Sequence, residues 1–467
     1  MFGISLKHLN RYSEVLRVLI RHGLGYFFVN PFSLPKMLNL QEEGNPLKGD
    51  NLTLIGQHLR DAFAELGPTF VKLGQLASTR SDLIPKPIAT KLAKLQDKAY
   101  PIPFLEIRRI IEQSLEIRLE SVFREFQQLP AAAASIAQTH YAVLQSGEPV
   151  IVKVQRPLIE EVVQTDLEIF QNLVAQIEER FEWGKKYPIR KMFEEFSRTI
   201  KEELDFLNEG RNADEMARVT KATKGAGKNS NILIPRIFWN ASHRHVLTME
   251  YISGIQLNKI LANQTFGDTM PYRLPILAER LSKALLQQVL VAGFFHGDPH
   301  PGNLLILPNE KIAFIDFGIV GRLSLAERQQ LAALIIALIR GSNPHIVKSI
   351  SQMGVIPKHV DQESLLKDIS EFRERQLNVP VKQMDIGKLV KEFFEVVFRH
   401  GIHIPSQFIL VGKTLLTLDG ILKELDPNLD LAEQAIPYAQ KIFREKYSPR
   451  AFISKLWRSW QYKNSGK

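Results

Sequence analysis

Two hydrophobic rhythms divide this chain. Apolar residues at three- and four-residue steps dominate the first hundred positions and most of the last two hundred, and predict helices. Short apolar runs bounded by turn residues lie between them and predict strands. Residues 1–105 predict helices jointed at Pro31, Pro35, Pro46, Pro85, Pro87, Pro101 and Pro103. Around 57–79, Phe63, Leu66, Phe70, Leu73 and Leu76 trace one face of a single helix. Lys72 and Gln75, three apart, leave its polar side together. FREFQQL, THYAVLQ and PVIVKV, between 123 and 154, predict strands. A helical insert is expected over 158–187, ending near Trp183-Gly184. From Met192 a second helix carries Phe193, Phe196, Ile200, Leu204 and Leu207 on one face. Its acids are Glu203, Asp205 and Glu209, of which Asp205 and Glu209, four apart, are expected on one side. ILIPRIF and HVLTMEY predict two more strands, and 275–293 predicts a helix. The remainder, to about 446, reads as helices jointed at Pro357, Pro380, Pro405, Pro427 and Pro437.

Residues 294–318, FFHGDPHPGNLLILPNEKIAFIDFG, combine a strand pattern with candidate chemistry. The apolar runs 304–307 and 312–317 are split by Pro-Asn-Glu-Lys, a hairpin signal. Such a hairpin brings Asp298, Asn303 and Asp316 to one end. Two carboxylates and an amide oxygen suit magnesium, a hard cation that shares oxygen ligands with nucleotide phosphates. The D-x-x-x-x-N and D-F-G pair is the phosphoryl-transfer signature of protein kinases. That chemistry also needs a strand lysine and a helix glutamate. Lys153, between Val152 and Val154, fits the first, and the acidic helix after Met192 offers the second. A glycine-rich loop over the phosphates is expected before Lys153, but Pro130 and the run Ala131–Ser135 stand there. Alanine lacks glycine's access to positive φ, so this loop is expected to be stiffer. Met249-Glu250-Tyr251 is placed as a hinge whose backbone faces an adenine. GAGKNS at 225–230 fails the P-loop pattern at Ala222 and Asn229 and reads as a surface loop. After Gly318 a helix is expected from about Ser324, with no A-P-E and no long segment on which a peptide could dock.

Composition narrows this picture. A length of 467 residues allows two to four domains, and 45% hydrophobic with 24% charged residues is ordinary for a soluble globular protein. The absence of cysteine excludes disulfides, thiol catalysis and cysteine-ligated zinc. A net charge of +10 favours acidic partners: nucleic acid, anionic lipid or nucleotide. No apolar stretch approaches the roughly 18 residues of a spanning helix. The longest, 331–339, reads as a buried core helix. The N-terminus has helical periodicity at Leu9, Val15, Leu16, Leu19 and Ile20 but no secretory cleavage site. From Lys441 onward stand eight Lys/Arg against one acid, Glu445. Ser448-Pro449 then starts a short basic helix with Phe452, Ile453, Leu456, Trp457 and Trp460 in one stripe. Such a tail suits an anionic membrane surface. A cytoplasmic protein, peripheral on the inner face of the membrane, is expected.

With these parts in order, residues 10–440 resemble the UbiB-type atypical kinases, the family of bacterial UbiB and the mitochondrial ADCK proteins. The resemblance rests on KLGQ at 72–75, AAAS at 132–135, Lys153, ELD at 203–205 with Glu209, HGDPHPGN at 296–303 and DFG at 316–318. It implies an α+β, protein-kinase-like two-lobed fold with an N-terminal helical extension over the active site. The divisions expected are an extension over 1–105, a β-rich lobe with a helical insert over 106–252, a helical lobe over 253–446 and the tail over 447–467. By the same resemblance, Lys72 and Gln75 reach into the site, and Glu203 and Asp205 hold Lys72. Lys153 pairs with Glu209 and the phosphates. Ala132, Ala133, Ala134, Ser135, Glu250 and Tyr251 flank ATP or ADP. Asp298 takes the catalytic-base position, and Asn303 and Asp316 bind Mg2+. The family is linked to quinone and isoprenoid-lipid biosynthesis, which implies lipid precursors and lipid-biosynthesis enzymes as partners and no nucleic acid. The competing readings are a protein serine/threonine kinase and a nucleotide-binding scaffold without phosphoryl transfer.

Overall fold

A computed structural model describes residues 6–24, 50–78, 84–95, 100–180, 189–222, 231–262, 272–340, 343–354, 356–357, 360–376 and 384–446. The expectations for Trp183-Gly184, for GAGKNS and for the basic helix after Ser448 fall outside these residues. The chain divides into two compact units, Met1–Arg211 with Arg236–Tyr251, and Asn212–Pro235 with Ile252–Lys467. The strands, in chain order, are β1 (Phe123–Phe126), β2 (Ala132–Ala133), β3 (Ala137–Leu144), β4 (Pro149–Gln155), β5 (Ile232–Leu233), β6 (Val246–Glu250), β7 (Ile255–Gln256), β8 (Phe294–His296), β9 (Leu304–Leu307), β10 (Lys311–Phe314) and β11 (Val320–Arg322).

The first unit is built on an antiparallel sheet of order β1-β3-β4-β6, with β2 paired to β3. Strand period two sorts β4: Val150, Val152 and Val154 are buried against Ile107 and Ile111 of helix Phe104–Leu115, and Lys153 points to the opposite face. Helices Leu6–Arg21, Asp50–Leu66, Pro68–Ser78 and Lys86–Leu92 supply the N-terminal helical part. The face predicted over 57–79 belongs to two helices. Gly67, at φ +95, breaks the run, and Pro68 opens the next helix.

Helices Ile159–Arg180 and Ile189–Glu203 bury Val163, Leu167, Phe196 and Ile200 together, and Leu73 and Leu76 pack on that cluster. The helix predicted from Met192 is also two helices, the second being Phe206–Ala222. The backbone at the break is bonded elsewhere: Gln155 Nε2, at the end of β4, donates to Leu204 O at 2.9 Å, and Phe206 N–H donates to Arg244 O, in the turn before β6, at 2.9 Å. Asp205 Oδ1 accepts from Leu207 N–H at 3.0 Å, as a cap for the second helix. Asp205 and Glu209 therefore do not share one helical side.

In the second unit β9 and β10 form the predicted antiparallel hairpin, and the sheet order is β5-β10-β9-β7 with β5 parallel to β10. Of ILIPRIF only Ile232–Leu233 is strand; Pro235, which has no N–H, lies just beyond. The hairpin turn puts Asn309 and Glu310 at φ 61 and 50. Arg273 holds it by two bonds to the Glu310 carboxylate, at 3.1 and 2.9 Å. β8 pairs with β11 as a separate ribbon. Helix Leu274–Leu286 runs into a π-helical turn, Gln287–Ala292, closed by Gly293 at φ 73. Helices Leu325–Arg340, Asn343–Met353, Gln362–Gln376, Ile386–Arg399, Ser406–Leu425 and Leu431–Lys446 follow. The run 331–339 lies inside the first of these, with Leu331, Ala332, Leu334, Ile336, Ala337 and Leu338 buried. Pro437 lies within the last helix and is not a joint. Among the described residues no helix is long and apolar enough to cross a membrane.

Candidate active site

In the first unit, Lys153 projects from β4 toward the start of helix Phe206–Ala222. Its Nζ lies 2.7 Å from Glu209 Oε2, and it sits 5.3 Å from the centre of the Phe206 ring. Glu209 is 6% exposed and lies in the first turn of its helix, where the helix dipole favours a negative charge. Lys72 on helix Pro68–Ser78 meets Glu203, the last residue of Ile189–Glu203, at 2.9 Å. Two lysines are thus held by two acids on either side of the helix break. Gln75 instead donates to Leu95 O at 3.4 Å, within the N-terminal helices.

The alanine run forms the short strand β2 and a tight turn. Ala132 and Ala133 pair with Thr139 and Gln138, and Ala134 N–H donates to Ala137 O at 2.8 Å. Ser135 is buried in that turn. Arg156, just past β4, fastens it by donating to Ala134 O and to Tyr100 O, each at 2.7 Å. No sequence pattern singles Arg156 out. At the end of β6, Glu250 N–H donates to Arg236 O at 2.8 Å and Tyr251 N–H to Pro149 O at 3.1 Å. Both amides are therefore committed within the protein. The Tyr251 ring, 40% exposed, meets Tyr141 edge-on.

In the second unit the β9–β10 hairpin gathers the other three residues. β10 ends at Phe314, and Ile315 N–H crosses to Asn303 O at 3.1 Å, so Asp316 emerges beside the start of β9. Asn303 Nδ2 donates to Asp298 O at 3.2 Å, and Asp316 Oδ1 accepts from Gly318 N–H at 2.9 Å. His296 ties the two acidic segments together. Its Nδ1 accepts from Asp298 N–H at 3.1 Å, so its Nε2 carries the proton and donates to Asp316 O at 2.6 Å. Burial holds this imidazole below its ordinary pKa, in the neutral form these two bonds require. Gln288, placed by the π-helical turn, accepts from His296 N–H at 3.0 Å. His300 Nδ1 accepts from Gly302 N–H and caps the turn Pro301–Asn303. Lys413 Nζ lies 3.1 Å from Asp298 Oδ1. Neither His296 nor Lys413 carries a role in the sequence pattern. The donor set suits magnesium: the bond from Nδ2 fixes the Asn303 amide, leaving its oxygen and the Asp316 carboxylate as hard oxygen ligands.

Comparison with known proteins identifies a family. The family model of the ABC1 atypical kinase-like domain matches residues 94–350, and that of the UbiB helical domain matches 369–430. A Clostridium pasteurianum protein described as an uncharacterized protein in the hydrogenase 1 5′ region is 33% identical over 92% of this chain and 76% of its own length. The probable protein kinase UbiB of Marinobacter nauticus is 34% identical over 86% of this chain and 72% of that protein. The chloroplastic protein ACTIVITY OF BC1 COMPLEX KINASE 7 of Arabidopsis thaliana is 32% identical over 84% of this chain, which spans 55% of that relative. A Mycobacterium tuberculosis protein solved as its erythromycin complex shares the fold, with a TM-score of 0.55 at 21% identity over 79% of this chain and 91% of the other. The chain belongs to the ABC1/UbiB family of atypical kinase-like proteins.

Proposed function

We propose that this chain is an ATP- and magnesium-dependent phosphotransferase or ATPase. The observation that carries this reading is the ordering of Asp298, Asn303 and Asp316 about one hairpin, with one neutral imidazole bonded to the backbone of both acids. Asn303 and Asp316 hold the metal, and Lys153, steadied by Glu209, meets the nucleotide phosphates. Magnesium bound there supplies positive charge to the phosphate oxygens. Asp298 orients or deprotonates the acceptor, a role that typically contributes about 10²–10⁴-fold. Ala132–Ser135, Glu250 and Tyr251 flank the nucleotide. The acceptor is water or the hydroxyl of a polyprenyl or aromatic precursor. On the family resemblance, the pathway served is quinone or isoprenoid-lipid biosynthesis at an anionic membrane surface, alongside lipid-biosynthesis enzymes. A peptide substrate is disfavoured because β11 and the helix beginning at Leu325 follow Gly318 almost at once.

The test is phosphate release from Mg·ATP by the purified chain beside Asp298→Asn. Release that falls at least about 100-fold in the variant supports the reading. Equal release by both would sink the role of Asp298. Nucleotide binding without release or transfer by the wild type would favour a scaffold.

A further inference from the structure

Lys413 belongs to helix Ser406–Leu425, inside the segment matched as the UbiB helical domain, yet its ammonium reaches Asp298. The approach is built into the backbone. Thr414, fully buried, donates from Oγ1 to His296 O at 3.4 Å. A Cβ at Gly297 would come within 3.1 Å of the Leu410 side chain and 2.8 Å of that of Ile319, so the helix packs closely on the segment before Asp298. Leu410, Lys413 and Thr414 lie on one helical face, which fixes the lysine's starting point relative to the carboxylate. The two side chains are 30% and 28% exposed. An ion pair this open adds little to stability, and holding a long lysine still costs side-chain entropy. Stability is therefore a poor reason for the pair, and position is a better one.

We propose that Lys413 is a positioning residue for phosphoryl transfer, holding Oδ1 of Asp298 so that Oδ2 is presented to the acceptor. The helical domain on this account supplies a working part of the site. The proposal rests on the phosphoryl-transfer reading above and assigns it a residue outside the kinase-like match at 94–350.

The test compares Lys413→Met, Lys413→Arg and Lys423→Met. Lys423 lies on the same helix in an ion pair with Asp385 and Asp419, and serves as a matched control. Two quantities are measured: Mg·ATP turnover, and affinity for Mg·ADP with and without aluminium fluoride, a planar stand-in for the transferring group. Lys413→Met is expected to lower kcat by about 10–100-fold with KM for ATP within about threefold. Its gain in ADP affinity from aluminium fluoride should shrink by the same factor. Lys413→Arg should recover most of both, and Lys423→Met should leave both unchanged. In an Asp298→Asn background, Lys413→Met should add no further loss. Wild-type aluminium fluoride affinity and turnover in Lys413→Met would overturn the proposal and leave the phosphoryl-transfer reading standing. A wild-type chain that binds no Mg·ADP would remove that reading and this proposal together.

Discussion

Glu209 is a carboxylate with 6% exposure whose charge is answered by Lys153 at 2.7 Å. Removing one partner takes a close opposite charge from the other in a largely buried setting, and the loss exceeds the net worth of the pair. Lys153→Met is therefore expected to lower stability by about 1–3 kcal/mol. Adding Glu209→Gln should return part of that stability but none of the turnover. Thermal melts and phosphate release on the two singles and the double variant would separate these effects; a double variant no more stable than Lys153→Met would contradict the burial argument. Lysine 153 was legible from sequence because flanking valines placed it on a strand. Lys413 was not, because only the folded helix brings it to Asp298 and no local pattern encodes a contact so distant in the chain. Arg156 and His296 were missed for a related reason: their roles are bonds to backbone atoms, which residue types do not announce.

At the scale of elements, periodicity found the helices and missed their breaks. The apolar face of 57–79 continues across Gly67, and that of the helix after Met192 continues across Leu204, so hydrophobic spacing alone reads straight through both. The breaks come from a left-handed glycine in one case and from bonds of Leu204 and Phe206 to Gln155 and Arg244 in the other. The hairpin was legible because its turn residues and two apolar runs agree with its register. The β8–β11 ribbon offers a sharp test. Gly321 faces Phe295, which is fully buried, and an added Cβ would lie 2.0 Å from the ring. Gly321→Ala is expected to cost about 1–3 kcal/mol by overpacking. The melting temperature should fall, and turnover should fall with it, since β8 leads directly into Asp298. An unchanged melting temperature would show that Phe295 can move aside.

For the molecule as a whole, the α+β kinase-like class was implied by the family resemblance, and the family comparisons agree with it. The net charge of +10, concentrated near the C-terminus, argues for electrostatic attraction to anionic vesicles. Association should weaken steeply as salt rises from about 0.05 to 0.5 M, because screening shortens to a few ångströms over that range. A chain ending at Lys446 should bind such vesicles less while keeping its basal turnover. Salt-independent co-sedimentation would argue for an apolar attachment. The helix break at Leu204–Asp205 has a consequence of another kind. Glu203 on one side grips Lys72, and Glu209 on the other grips Lys153. The two grips are joined by a short stretch of backbone held by Gln155 and Arg244. A substitution that loosens one grip is therefore expected to shift the backbone that carries the other.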